Sequence, residues 1–320
     1  MRNRFLKLLL LTLSVLALAA CSNDKNTAGV NSADDTYSFA FLTNTQNNTF
    51  QTAMNDTFKR LANEKGYKYT MLDPDYDLNK QINQMTDAAN QGFDAVFVIP
   101  VDSAGIRQGL EAMKDNQIPV FNVDTAVIEE DRDLVKSIIA TDAYMAGQLM
   151  GQQMVKDYPD GAKIAILDFP SNESCVLRVE GFLNGLGSDA AKFEIVAQQD
   201  GKASLDASLP IAEDIIQAHS DLDAFFAIND PSALGVAAAI AASNRDDIGV
   251  YSIDASPDGK EALLDGSFTA VAAQVPIQIA ETSFHLAVDY LEGKDIEQEI
   301  LLPSHAVTKE MAEETAGNWQ

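Results

Sequence analysis

The sequence predicts an α/β protein of two doubly wound parallel-sheet lobes joined by a three-crossing hinge. Three observations carry this expectation. Short runs that are apolar on both faces alternate with stretches of helical periodicity, the pattern of parallel strands covered by helices. The chain has 320 residues, more than the roughly 100 to 200 that one domain needs. About five strand-like runs fall before Asp142 and about five more lie between Ala162 and Val275, too many for one compact sheet and natural for two.

The elements follow in order. Phe39-Ala40-Phe41-Leu42 reads as the first strand, and Phe50, Ala53, Met54, Thr57, Phe58 and Leu61 fall three or four apart on a helix. Leu78, Ile82, Met85 and Ala89 make a second helical stripe, followed by the strand Ala95 to Ile99 and by Pro119 to Val123. Ile164 to Leu167, Ala224 to Ile228, Val250 to Ile253 and Ala270 to Ala273 are the later strands, and Ile277, Ala280, Phe284, Ala287 and Leu291 mark a late helix. Gly66, Gly92 and Gly161 sit between helical and strand-like runs, where a left-handed C-cap is useful. Asp230-Pro231 and Ser256-Pro257 place a capping side chain before a proline suited to the first helical position.

Ahead of this body, Arg2, Arg4 and Lys7 precede an apolar run from Leu8 to Ala20, the charged and apolar regions of an export signal, too short to be a spanning helix. Leu18-Ala19-Ala20-Cys21 resembles a bacterial lipobox, so residues 1–20 are expected to be a lipoprotein signal peptide and Cys21 the lipidated residue. An ordinary signal peptide with a fortuitous cysteine is the alternative. Residues 21–35 are polar and read as a flexible tether. The folded lobes are then expected at 36–142 plus 275–303 and at 143–274 plus 304–320. The expected localisation is periplasmic or at the cell surface, anchored to the membrane by the N-terminal lipid.

Composition excludes several classes. A formal charge of −26 argues against nucleic acid, whose binding depends on Lys and Arg neutralising phosphates. Cys21 and Cys175 are the two cysteines, and a lipidated Cys21 leaves no disulfide, so Cys175 reads as a small packing residue. His219, His285 and His305 are far apart and indicate no zinc site. Asp73, Asp75, Asp77 and Asn79 alternate like calcium-loop ligands, but the sixth-position glycine is missing and the twelfth position is Gln84; Asp77 as a helix cap is the better account. No Gly-x-Ser-x-Gly elbow, Walker loop or dinucleotide fingerprint occurs. No catalytic residue, cofactor or metal is therefore expected.

In doubly wound lobes, ligands lie beyond the carboxyl ends of the strands. Asn47 and Asn48, Asp124, Asn229, Asp254 and Gln274 all stand at such ends. Carboxylates and amides pair with adjacent hydroxyls, Arg supplies a rigid donor fork, and an aromatic face covers C–H surface, so the chemistry points to a neutral, polyhydroxylated ligand. Any one of Asp124, Asp254 or Asn229 alone is as well read as a cap, Phe50 has a core role as its rival, and Arg178 a solvated one. Asp230 is assigned to capping.

Thr45-Gln46-Asn47-Asn48-Thr49-Phe50, Val123-Asp124, Arg178-Val179-Glu180-Gly181-Phe182, Asn229-Asp230, Ile253-Asp254-Ala255-Ser256-Pro257-Asp258-Gly259 and Gln274-Val275-Pro276 together resemble the periplasmic ribose-binding protein family over nearly all of the body. The resemblance implies a type I periplasmic binding fold, a monosaccharide ligand (a pentose, hexose or polyol) and an ABC transporter permease as partner, with the receptor a monomer. It also implies ligand roles for Asn48, Phe50 and Asp124 from the first lobe, and for Arg178, Asn229, Asp254 and Gln274 from the second lobe and hinge. Phe50 would stack on the sugar. Gln51 stands where the ribose receptors carry a second aromatic, Thr125 where they carry an Arg, and Gly201 to Leu205 offers no aromatic. A sugar or autoinducer receptor serving chemotaxis or signalling is the alternative function. A repressor with this body would carry a basic helix-turn-helix in place of the export signal.

Overall fold

A computed structural model describes residues 36–319; the export segment, Cys21 and the tether lie outside the described residues. In chain order the elements are β1 (Ser38–Leu42), α1 (Thr49–Lys65), β2 (Lys68–Leu72), α2 (Leu78–Gln91), β3 (Ala95–Val98), α3 (Arg107–Asp115), β4 (Val120–Val123) and β5 (Ser137–Thr141). Then follow α4 (Ala143–Asp157), β6 (Lys163–Asp168), α5 (Glu173–Gly185), β7 (Glu194–Asp200), α6 (Leu205–Ala218), β8 (Ala224–Ala227), α7 (Asp230–Ser243) and β9 (Gly249–Asp254). The last are α8 (Pro257–Asp265), β10 (Ala270–Ala273), α9 (Pro276–Leu291), β11 (Glu299–Leu302) and α10 (Lys309–Glu314).

Two parallel sheets result, ordered β11-β5-β4-β3-β1-β2 and β10-β9-β8-β6-β7. The runs apolar on both faces are the inner strands: β1, β3, β4 and β5 in the first sheet and β6, β8 and β9 in the second are almost wholly buried. Each sheet has an apolar cluster on either face. The first is built around stacked aromatics, Phe58 on Phe97 with ring centroids 4.2 Å apart, and the second around Phe182 on Phe226, also 4.2 Å apart. The chain passes between the sheets after Thr141, after Ala273 and after Leu302. Among the described residues no helix is long and apolar enough to cross a membrane.

Local signals behave as the sequence suggests at most positions. Gly66 and Gly92 close α1 and α2 at φ 72°, and Ser256 caps α8 through a bond from Gly259 N. Two expectations need correction, and two features go beyond the sequence reading. Asn229, not Asp230, caps α7, so Pro231 sits one position further in; the Asp230 carboxyl instead accepts from Ser252 Oγ, Ser256 N and Ser256 Oγ, tying β9 to the start of α8. Gly161 lies beyond Tyr158, which caps α4, and turns the chain into β6 at φ 101°. The buried face of α9 is led by Ile279, Ala280 and Phe284, while Ile277 is half-buried. β11 is an added edge strand whose exposed Glu299 and Leu301 hide it from a search for apolar runs.

One packing device bears directly on the site. Gly147 and Gly151 on α4 face Gly181 and Gly185 on α5, and a Cβ at Gly147 would press into the carbonyl of Arg178, one at Gly181 into that of Tyr144. The two helices are therefore in backbone contact, which fixes the level at which α5 presents Arg178. Gly147→Ala and Gly181→Ala should each lower stability by about 1–3 kcal/mol, the usual cost of overpacking, read as a fall in the urea midpoint at constant slope. Wild-type midpoints would show that the helices are free to part.

Candidate functional site

Asn48, Phe50, Asp124, Arg178, Asn229, Asp254 and Gln274 all line one cavity between the two sheets, about 420 Å³ counted out to its mouth. The lobes meet around it. Asn172 Nδ2 donates to Thr125 Oγ1 at 3.0 Å, Ser174 Oγ to the Asp124 carbonyl at 3.1 Å, and Glu173 N to Ser103 Oγ at 3.1 Å. These bonds join the loop after β4 and the loop before α3 to the start of α5, so the cleft is in its closed arrangement.

Asp124, Asn229, Asp254 and Gln274 are delivered by strand ends, Asn48 and Phe50 by the start of α1, and Arg178 by α5. Buried Asn122 donates to the carbonyls of Val98 and Thr125 and accepts from Val127 N, locking the turn that carries Asp124 and Thr125. Buried Gln81 donates to the Thr43 and Ile99 carbonyls and accepts from Val101 N, fixing the ends of β1 and β3. Asp124 and Asp254 are both forced to positive φ, 63° and 139°, which turns their carboxylates back over the sheet ends. Asn48 caps α1 by accepting from Phe50 N, leaving its amino group to offer. Asn229 Oδ1 accepts from Ser232 N and its Nδ2 donates to the Ala203 carbonyl, so capping and cavity lining coincide there.

The polar floor is a charge cluster. Arg178 Nη1 donates to the Ile228 carbonyl at 2.8 Å and lies 3.8 Å from Asp254 Oδ1. Asp254 also accepts from Gln274 Nε2 at 2.7 Å and from Asp230 N at 3.2 Å. Arg178 is the sole cation among the lining residues, against Asp124 and Asp254. Burial pushes Asp124 up to about 6, with Arg178 opposing and Asp254 reinforcing the rise. Burial likewise raises Asp254, against the pull of Arg178 and of the Gln274 bond. Asp230, behind the cavity, is raised by burial and by the Asp254 charge.

Several wall residues are not among the expected ligand residues, although Gln51 and Thr125 are marked as departures from the ribose receptors. Asn44 and Gln51 are buried, line the cavity, and each turns a side-chain oxygen that has no hydrogen-bond partner. Thr125, where the resemblance to the ribose receptors implies an Arg, makes a short bridge: its hydroxyl donates to Asp124 Oδ2 at 3.3 Å while accepting from Asn172. Tyr76 and Phe169 add aromatic walls. Tyr76 comes from the run read as a poor calcium loop. There Asp73 accepts from Asp75 N, Asn47 donates to Asp75, Tyr76 N donates to the Asn44 carbonyl, and Asp77 caps α2 as expected. Asp75 and Tyr76 both take left-handed φ, 56° and 58°, which swings the Tyr76 ring to the mouth, where burial of its hydroxyl pushes it up to about 12. Cys175 packs in a core cluster, as its isolation suggested, and also forms part of the cavity wall. Phe50 belongs to the first-lobe core and to the wall at once.

Comparison with known proteins agrees with this architecture. The ribose import binding protein of Salmonella typhimurium is 29% identical over 259 residues, covering 81% of this chain and 86% of that one. Its counterpart in Bacillus subtilis is 28% identical over 300 residues, 92% of this chain and 95% of that one. The periplasmic binding protein component of the arabinose ABC transporter from Shewanella sp., solved with α- and β-L-arabinofuranose, is 26% identical with a TM-score of 0.80, covering 87% of this chain and 93% of that one. Residues 39–295 match the family described as periplasmic binding protein domain, and with its two parallel-sheet lobes closed on a polar cleft the chain belongs to that family.

Proposed function

We propose that this chain is the sugar-binding receptor of an ABC importer, anchored outside the cytoplasm by a lipid on Cys21, and that it binds a neutral monosaccharide or cyclic polyol without transforming it. The observation that carries the reading is the convergence in one closed cavity of acceptors, a single cationic donor and aromatic faces. Asp124, Asp254, Asn44 and Gln51 accept from ligand hydroxyls, Arg178, Asn48 and Gln274 donate, and Phe50, Tyr76 and Phe169 cover C–H surface. An anionic ligand would face two carboxylates. The Cys175 thiol, pushed up to about 12 by burial, is a poor nucleophile, in keeping with a receptor rather than an enzyme. The lobes 36–142 plus 275–303 and 143–274 plus 304–320 rotate about the three crossings as rigid bodies, and ligand contacts from both lobes favour closure because only that state completes them.

Three measurements test this reading. In a thermal-shift screen of the purified protein, D-ribose, L-arabinose, D-fructose, D-galactose or myo-inositol should raise the melting temperature, since a ligand at about 100 times its Kd adds about 2.7 kcal/mol to the native state. Shifts with amino acids or organic anions alone would refute the sugar assignment.

The raised Asp124 sets a pH dependence. Between its ordinary value of 3.8 and about 6, the folded chain keeps a proton that the unfolded chain has lost, so the stability associated with this group is greater at low pH and is lost as pH rises through that window. Hydroxyl binding to the carboxylate has the opposite sense. Sugar affinity should therefore weaken about tenfold from about pH 7 to about pH 5, and most of that change should vanish in Asp124→Asn. An unaltered pH profile in the variant would remove Asp124 from ligand binding.

Tyr76→Ala should weaken binding by about tenfold, the value of a lost aromatic face, whereas Tyr76→Phe keeps the ring and should stay within a few-fold of wild type. Equal affinities for Tyr76→Ala and wild type in calorimetric titration would place Tyr76 outside the ligand's reach.

A further inference from the structure

The C-terminal segment makes a further connection between the two lobes, through residues of its own that do not line the cleft. Helix α10 packs on α8 of the second lobe, with Val307 and Ala312 buried in that lobe's core and Met311 packed against it. Beyond the helix, fully buried Lys260 on α8 holds the tail by its Nζ, which donates to Thr315 O at 3.0 Å, to Thr315 Oγ1 at 2.9 Å and to the Asn318 carbonyl. Gly317, at φ 75°, turns the chain so that Trp319 leaves the second lobe. Trp319 packs against the first-lobe core, its ring edge-on to Phe50 with centroids 5.5 Å apart and planes at 86°. Phe50 is also a wall of the cavity.

The tail is thus fastened on one lobe by hydrogen bonds to a buried ammonium and seated on the other by an aromatic contact. A rotation that parts the lobes would carry Lys260, and the tail with it, away from Phe50. The Trp319–Phe50 contact therefore exists only when the lobes are closed, and any interaction confined to one of two states shifts the population toward that state. We propose that residues 309–319 form a clasp that biases the lobes toward closure before a ligand arrives, with Trp319 as the positioning residue that holds the Phe50 ring against the cavity. The clasp needs no sugar, so it stands or falls apart from the proposed function.

The test uses the ligand-free full chain, in which Trp319 is the single tryptophan. Wild-type protein should show blue-shifted emission shielded from acrylamide and a small-angle scattering profile matching the closed form. Lys260→Met, close in volume but without the tail anchor, should red-shift the emission, raise the quenching constant several-fold and enlarge the radius of gyration. Trp319→Ala tests the other end of the clasp without substituting a buried residue: its radius of gyration should grow in the same way, while Trp319→Phe, which keeps an aromatic on Phe50, should scatter like wild type. Scattering from Trp319→Ala superimposable on wild type, or a wild-type tryptophan as quenchable as a free one, would overturn the clasp.

Discussion

The structure turns on a charge problem: three charged side chains, Asp124, Asp254 and Arg178, meet buried in one cleft. Taking such groups out of water is costly unless each finds partners in good geometry. Arg178 meets this with the Ile228 carbonyl and the nearby Asp254, and Asp254 with Gln274 and the Asp230 amide. Asp124 is the least compensated, its hydroxyl partner being Thr125 at 3.3 Å, and its upward shift to about 6 expresses that deficit. Ligand hydroxyls are well suited to supply the missing donors, because each can give a hydrogen bond without adding charge. The same features that leave the cleft's own polar groups imperfectly satisfied suit it, on the proposed function, to a neutral donor-rich molecule.

Positioning these groups draws on backbone strain concentrated at the site. Tyr76, Asp124, Ala203 and Asp254 line the cavity and all have positive φ without being glycine. Each such residue costs on the order of 1–3 kcal/mol unless its surroundings over-determine it. In the first lobe the buried Asn122 amide does so for Asp124, bonding the Thr125 carbonyl and the Val127 amide, and the Tyr76 turn is held by the Asp75 amide on Asp73 and by the Tyr76 amide on the Asn44 carbonyl. Asp230 does it for the second by clamping Ser252 and Ser256 around the Asp254 turn. The glycine contact between α4 and α5 then sets where Arg178 enters. Core packing, turn geometry and charge placement are in this sense one arrangement.

How much of this was legible in the sequence depends on the range of the signal. Strand runs apolar on both faces announce parallel sheets, and parallel sheets place their carboxyl ends together, so Asp124, Asn229, Asp254 and Gln274 were readable from position alone. Arg178 was not; it lies within a helix, and only the resemblance marked it. The corrections are local, since Asn229 and Asp230 are both good caps and the choice between them is made by the buried bonds Asp230 forms across to α8. Tyr76 was hidden because its loop inverts direction through two left-handed non-glycine residues, a conformation residue preferences do not forecast. Trp319 was hidden for another reason: its partner Phe50 is at the far end of the chain, and no periodicity links them.

Tyr76 and Phe169 also reshape what the departures from the ribose receptors mean. If, as the resemblance implies, Gln51 stands in place of an aromatic, α1 loses a stacking face and gains a buried carbonyl oxygen, while the Tyr76 ring lines the cavity from the turn before α2. Aromatic cover is therefore moved from the helix to the mouth, and the vacated position gains an acceptor. A ligand that is flat on both faces gains little from that exchange. On the proposed function, one that presents C–H surface toward the mouth and a hydroxyl toward α1 would gain from both changes, so the wall chemistry would select for where the hydroxyls point more than for ring size.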